Sequence, residues 1–161
     1  MQTEGGSTVR FKSLLWIAPV SLVLAGIAGA EDQEKARFFY VQEENIGFYA
    51  VEDQPGLGYA VLAGDPSKEG VYVIRMRLPG NQLFPPHFHD EDRHITVLSG
   101  SWYFGTGESG KCSDALEMKR GAYVIHPKGA VHYEGTCSNR GAEIQVTGRG
   151  PVRTSWLQDI R

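Results

Sequence analysis

The sequence predicts an all-β fold, a single antiparallel sandwich or barrel, on three observations. Short runs of β-forming residues recur along the chain, and turns rich in Gly, Pro and Asn separate them. No stretch after Lys35 has a sustained apolar period of 3.6 residues, which argues against amphipathic helices. A length of 161 residues, 41% of them hydrophobic, is enough for one domain with its own core.

Six segments carry the strand pattern. The clearest is residues 71–78, where Tyr72, Ile74 and Met76 alternate with residues of the opposite face, as in a half-buried strand. The other predicted strands are residues 94–104, 122–126, 131–134, 142–147 and 153–157. Turn signals such as Pro79-Gly-Asn81 and Asn139-Arg-Gly141 stand between them. Short strands at this regular spacing favour a sandwich or a barrel.

The N-terminal residues have the order of a secretory signal. Arg10 and Lys12 precede an apolar run, and the small residues Ala28-Gly29-Ala30 follow it. We therefore expect cleavage and a secreted or periplasmic protein, with an uncleaved anchor as the alternative. The chain then has three predicted parts: a signal peptide over residues 1–30, an N-terminal extension with edge strands over residues 31–56, and the barrel over residues 57–161.

Charge and cysteine content narrow the function. The chain has 16 Lys and Arg against 19 Asp and Glu, a net charge of −3, which argues against nucleic acid as a partner. Beyond the N-terminal run no segment is apolar for long enough to span a membrane, so we expect no stable membrane association after cleavage. The two cysteines, Cys112 and Cys137, lie in turn-like segments. Export favours a disulfide between them over two free thiols.

All five histidines lie between positions 87 and 132. His87 and His89 flank one residue, so an extended backbone places both imidazoles on one face. His132 follows the turn Pro127-Lys-Gly129, which would send a new strand back across the barrel. Three neutral imidazoles can hold Fe, Mn, Ni, Cu or Zn and leave coordination positions open for a small-molecule substrate or ligand.

The residues around these histidines resemble the two motifs of the cupins, small double-sheet jelly rolls. The second motif, Gly-x5-Pro-x-Gly-x2-His, is matched by Gly121, Pro127, Gly129 and His132, while Thr136 stands where an Asn is often found. The first motif is matched in part by Gly80, His87, His89 and Gly100. The sequence is similar to small, exported, single-domain bacterial cupins of type 2, over about residues 57–157.

This resemblance implies a jelly-roll cupin barrel, also called a double-stranded β-helix. It further implies a divalent transition metal at His87, His89 and His132, and a homodimer formed through sheet edges. One residue departs from the family pattern in a way that matters. Arg93 stands where the first motif has its metal-binding Glu, and a guanidinium has no lone pair to donate and repels a cation.

Three interpretations of Arg93 follow. A three-His site survives, with Arg93 holding an anionic group of the substrate such as a carboxylate. Alternatively, the strand register shifts by one residue and His94 makes a four-His site. In the third interpretation the site is degenerate and binds no metal. The acidic run Asp90-Glu91-Asp92 is interpreted as a solvated turn, and His126 as an ordinary residue at a strand end.

Two functions remain open from the sequence. The first is a small exported metal-dependent cupin enzyme, of the oxygenase, isomerase or hydrolase type, acting on a small and anionic substrate. The second is a non-catalytic cupin that binds a small ligand or a metal, which the loss of the motif Glu favours. The pattern singles out no catalytic residue. One fold hosts many functions, so the choice depends on the site.

Overall fold

The computed structural model describes residues 37–160, so the predicted signal peptide lies outside the described residues. The chain divides into two units, Met1–Phe39 and Tyr40–Arg161, and every element below belongs to the second. Ten strands make up most of it: β1 Tyr49–Val51, β2 Gln54–Ala63, β3 Gly70–Leu78, β4 His87–His89, β5 Arg93–Thr106, β6 Leu116–Lys119, β7 Tyr123–His126, β8 His132–Gly135, β9 Ala142–Gly150 and β10 Thr154–Trp156. Three short 3-10 helices accompany them: Glu43–Asn45, Cys112–Asp114 and Leu157–Asp159.

The strands form two antiparallel sheets that share β5. The first half of β5 pairs with β9 and β7, and β9 continues through β3 and β2 to β1 at the edge. The second half of β5 pairs with β6 and β8, and β8 leads through β4 to β10. One long strand thus passes from one sheet into the other, as in a jelly roll, and the all-β prediction is confirmed.

The core fills the space between the sheets. Alternate residues of the central strands point inward, and the fully buried side chains include Tyr72, Ile95, Trp102 and Ile144. The predicted alternation in residues 71–78 is present in β3, where Tyr72, Ile74 and Leu78 are buried. Burial of such side chains from both sheets is the main force that holds the barrel closed.

Four strands lie outside the six predicted segments. β1 falls in the N-terminal extension where edge strands are expected, β2 follows it, β4 carries the two closely spaced histidines, and β6 is a four-residue segment beside β5. These elements are short or have exposed faces, so their apolar alternation is weak. The turn that precedes β8 ends at Gly129, whose φ of 74° lies in the left-handed region that favours glycine.

A disulfide joins two turns at one end of the barrel. The Cys112 and Cys137 sulfurs are bonded to each other, which ties the 3-10 helix between β5 and β6 to the turn between β8 and β9. No helix within residues 37–160 is long and apolar enough to cross a membrane.

Candidate metal centre

Three strands direct histidines into the interior of the barrel. His87 and His89 come from β4, His126 from the end of β7 and His132 from the start of β8. We call these four side chains the histidine cluster. Each is at most 3% exposed. His87 and His132 are direct partners across β4 and β8, which brings their ring centroids to 4.4 Å.

Backbone carbonyls fix the orientation of two of these rings. Nδ1 of His87 lies 2.8 Å from the carbonyl oxygen of Pro85, and Nδ1 of His132 lies 2.8 Å from that of Ala130. A carbonyl oxygen can only accept, so each Nδ1 carries the proton and donates it. Burial lowers the pKa of His87, which favours its neutral form. Nε2 of each ring therefore faces the barrel interior, and in the neutral ring of His87 it carries a lone pair.

The carboxylate of Glu134 faces the same space. Glu134 follows His132 by two residues in β8, so both side chains lie on the same side of the strand. One carboxylate oxygen lies 3.2 Å from His132 Nε2, and the other lies 4.0 Å from His87 Nε2. Two imidazole nitrogens and a carboxylate thus converge on one buried space.

His126 completes this arrangement from the opposite strand. Its Nε2 lies 3.6 Å from Glu134, and burial lowers the pKa of the ring to about 3, so the imidazole is neutral. The ring stacks on Phe104 at a centroid distance of 5.1 Å. Within the described part of the chain, four buried atoms around this point have no hydrogen-bond partner: both ring nitrogens of His126, Nε2 of His132 and one oxygen of Glu134.

The donor set and its spacing fit a transition metal. Ligand atoms that each lie about 2.1 Å from one ion are about 3.0–3.4 Å apart in octahedral or tetrahedral geometry. One oxygen of Glu134 lies 3.2 Å from Nε2 of His132, inside this range, and 3.6 Å from that of His126, slightly beyond it. The other oxygen lies 4.0 Å from Nε2 of His87. Two groups of three have all their ligand atoms within 4.8 Å of one another: His87, His89 and His132, and also His126, His132 and Glu134.

Arg93 is hydrogen-bonded to His89, the remaining member of the histidine cluster. It is the first residue of β5, and its Nη1 lies 2.8 Å from Nε2 of His89, to which it donates. Nδ1 of His89 lies 3.0 Å from the hydroxyl of Thr154. Burial, and then the charge of Arg93, lower the pKa of His89 to about 2, so the ring is neutral and can accept. Among residues 37–160 no carboxylate forms an ion pair with Arg93, and its buried Nε has no partner.

A cavity of about 150 Å3 adjoins the cluster. Its polar wall is formed by Gln54, His87, His89, Arg93, Glu134 and Thr154, and its apolar wall by Leu57, Met76, Phe84 and Trp156. A cavity of this size holds a molecule of about the size of benzene. The polar groups on one side and the apolar ones on the other are typical of a small-ligand site.

The structure brings together the three predicted ligands His87, His89 and His132 and places Arg93 beside them. His94 lies on the outer face of β5, exposed, with Nδ1 2.5 Å from the hydroxyl of Tyr123. It therefore reaches the cluster only if the register of β5 shifts, so the four-His alternative is not formed in this structure. The acidic run 90–92 is at the surface, where it pairs with Arg153 and Lys128.

Sequence reasoning missed His126 and Glu134. His126 does end a strand, as expected, but its ring lies in the cluster instead of outside it. The signal was present in the period of two. Val124 and His126 share the buried face of β7, and Glu134 is two residues from a predicted ligand in β8. The cupin motif has its metal-binding carboxylate at position 93, so it gives no signal for position 134.

A jelly roll with buried histidines directed inward from neighbouring strands defines the class of protein as a cupin. Residues 36–153 match the family model described as the ChrR cupin-like domain, and the chain belongs to that family.

Three similar proteins illustrate the range of this fold. A germin-like protein, subfamily 3 member 2, from Arabidopsis thaliana is 29% identical over 66 residues, which are 40% of this chain and only 29% of that protein. The polyketide cyclase RemF from Streptomyces resistomycificus is 23% identical with a TM-score of 0.60, covering 75% of this chain and 87% of RemF. A cupin-like protein of unknown function from Ralstonia eutropha is 22% identical with a TM-score of 0.59, covering 74% and 77%. These structural likenesses show the fold alone.

Proposed function

We propose that this chain is an exported cupin that binds a divalent transition metal in the histidine cluster and acts on a small anionic molecule in the adjoining cavity. The most direct support is one observation: Nε2 of His87, Nε2 of His132 and the carboxylate of Glu134 face the same buried space, where a bound cation would satisfy all three at once.

The histidine cluster supports the metal half of the proposal. His87 and His132 are held by backbone carbonyls in the tautomer that a metal needs, and His89 is the third imidazole of the motif. Fe, Mn, Ni, Cu and Zn all accept imidazole nitrogen. When bound, such an ion would supply Lewis-acid chemistry at an oxygen atom of the substrate, or chemistry with dioxygen if the ion is redox-active.

Arg93 supports the anionic substrate. Its guanidinium lines the cavity, has no carboxylate partner among the described residues and is held in place by the hydrogen bond to His89. A carboxylate in the cavity could accept hydrogen bonds from the remaining N–H groups of Arg93, and such charge-assisted hydrogen bonds are strong. Leu57, Met76 and Phe84 would cover the apolar part of the same molecule and exclude water.

Binding without catalysis is the second candidate function. It is favoured by Arg93 itself, because a cation at the position of the motif carboxylate already uses the lone pair of His89. Oxygenase, isomerase and hydrolase chemistry all remain compatible with the same centre. Turnover of the bound molecule separates an enzyme from a binding protein.

Export rests on two features. Residues 1–30 have the order of a signal peptide, and the bond between Cys112 and Cys137 is of the kind that persists in oxidising compartments. Mass spectrometry of the protein from the medium or periplasm of an expressing cell tests this directly. A measured mass that corresponds to a chain beginning near residue 31 supports export, and retention of the full chain in the cytoplasm refutes it.

Metal analysis tests the central proposal. The purified protein is stripped, loaded in turn with Fe, Mn, Ni, Cu and Zn, and its metal content is measured. We expect about one equivalent of at least one metal. His87→Ala and His132→Ala should lose it, while His94→Ala, which changes an exposed histidine on the outer face, should keep it. A parent protein that binds none of the five metals stoichiometrically refutes the proposal.

A further inference from the structure

We infer that Glu134 supplies the carboxylate ligand of the metal centre and that His126 is an additional imidazole ligand. The inference deepens the proposed function and rests on it. It assigns the compact group of His126, His132 and Glu134 as ligands, with His87 facing the second carboxylate oxygen at 4.0 Å, so the carboxylate is on β8 and not at position 93 on β5. His89 then positions the guanidinium of Arg93 and does not need to bind the ion.

The first step concerns the charge of Glu134. It is 8% exposed, and within residues 37–160 its only ion-pairing neighbours are the imidazoles of His87, His126 and His132. The neutral ring of His87 turns a lone pair toward it, because its proton is used by the carbonyl of Pro85, and Nε2 of His132 lies 3.2 Å from one of its oxygens. A buried carboxylate that faces lone pairs is unfavourable unless a cation lies between them.

A comparison within the same chain makes this clearer. Glu143 is equally buried, at 8% exposure, but lies 2.7 Å from Arg77 and 3.5 Å from Arg75. Its charge is therefore balanced by permanent cations. Glu134 has no lysine or arginine within 4.0 Å among the described residues. A bound metal ion would give Glu134 the partner that Glu143 finds in two arginines.

The second step concerns His126. Both of its ring nitrogens are buried and without a hydrogen-bond partner in residues 37–160, and its ring centroid lies 3.8 Å from that of His132. The aromatic rings of Phe104 and Trp102 stack against it. A histidine that serves only as packing usually has at least one satisfied nitrogen. His126 instead directs Nε2 toward Glu134, at 3.6 Å.

The third step concerns His89. Its Nε2 accepts from Arg93 at 2.8 Å and its Nδ1 is next to the hydroxyl of Thr154 at 3.0 Å, so both nitrogens are engaged. Binding a metal through His89 requires the guanidinium to leave and places two cations side by side. Binding through Glu134 and His126 leaves this contact intact. The carboxylate also gives the site a negative charge, which three imidazoles alone do not.

Metal affinity of matched variants tests the assignment. The parent, Glu134→Gln, His126→Gln and His89→Gln are titrated with Zn2+ against a chelator, with Glu143→Gln as the control for loss of a buried carboxylate. Loss of a direct ligand should weaken binding by more than the roughly 10–100-fold seen when an outer-sphere partner is removed. We expect that loss in Glu134→Gln and His126→Gln. His89→Gln and Glu143→Gln should bind within about tenfold of the parent.

The visible spectrum of bound Co2+ provides a second measurement that does not depend on activity. Removing a ligand should change the position or intensity of the Co2+ bands in Glu134→Gln and His126→Gln but not in Glu143→Gln. Circular dichroism and thermal unfolding confirm that each variant is folded, and Glu134→Asp, which keeps a carboxylate, should recover part of the affinity if Glu134→Gln loses it.

The outcomes separate the two proposals. If the parent binds no metal, the proposed function and this inference both fail. If the parent binds metal and Glu134→Gln binds it equally well with an unchanged Co2+ spectrum, only this inference fails. Loss of metal in His89→Gln together with retention in His126→Gln would likewise overturn it, and would assign the ion to His87, His89 and His132.

Discussion

Thr136 occupies the motif position where an Asn is often found, and replacing it by valine should destabilise the barrel. The side chain is 1% exposed. Its hydroxyl donates to the carbonyl of Pro79 at 2.6 Å and accepts from the backbone N–H of Gln82 at 3.0 Å. Through these bonds one residue after β8 anchors the segment that leads from β3 to the histidines of β4.

The size of the expected loss of stability depends on the two polar groups that lose a hydrogen-bond partner in Thr136→Val. Valine has almost the same shape, so the cavity term is small, but the N–H of Gln82 and the carbonyl of Pro79 lose this partner in a region shielded from water. A buried polar group without a partner costs about 1–3 kcal/mol, so we expect the free energy of unfolding to fall by about 2 kcal/mol. With an unfolding entropy of about 0.25 kcal/mol/K for a domain of this size, Tm should fall by about 8 °C.

Urea unfolding followed by circular dichroism measures this loss. Thr136→Ser is the matched control, because it keeps the hydroxyl and removes one methyl group, at a cost of about 1 kcal/mol or less. Thr136→Val should therefore have the lower midpoint with an unchanged slope. Equal midpoints for the two variants would show that the hydroxyl contributes nothing and would refute the reasoning.

Three further predictions concern the disulfide, the guanidinium and the outer histidine. Replacing Cys112 and Cys137 by serine opens a loop of 25 residues and should lower the free energy of unfolding by about 3.5 kcal/mol, measured by urea unfolding; an unchanged midpoint contradicts this. Arg93→Met removes a cation that lines the same cavity as the proposed ion, and the loss of this like-charge repulsion should raise the Zn2+ affinity on the order of tenfold. Calorimetry with Zn2+ and then with small carboxylates should show that Arg93→Met binds Zn2+ more tightly than the parent and no longer binds the carboxylates. If the variant loses affinity for Zn2+ as well as for the carboxylates, the proposed repulsion between Arg93 and the ion is contradicted. His94→Ala breaks only the exposed contact with Tyr123 and should change Tm by less than about 4 °C, whereas a larger fall would indicate an inward role.

The fold was predictable because its central strands combine period-two alternation with clear turn signals. Residues 71–78 show this best, since the side chains expected on one face include Tyr72 and Ile74 of the core. The edge strands were harder to predict from the sequence. β1 and β6 have mostly exposed residues, so no apolar face distinguishes them from loop, and they are strands because a neighbouring backbone pairs with them.

The site was predictable only as far as the motif reached. His87, His89 and His132 follow from spacing, and the structure brings them together. The period of two places His126 and Glu134 on the inward faces of β7 and β8, but nothing in the linear sequence shows that these two faces meet. That meeting depends on β5, which pairs with both strands. Such a relation between strands becomes visible only when the sheets are assembled.

The opposite charges in the cavity wall have a consequence for how the proposed ligands bind. Arg93 and Glu134 line the same small cavity, one positive and one negative, so their formal charges cancel. A divalent ion brings two positive charges into this low-dielectric space, and an anionic molecule then offsets part of them. Metal and anion should therefore bind cooperatively. Thermodynamic linkage requires that each raises the affinity of the other by the same factor.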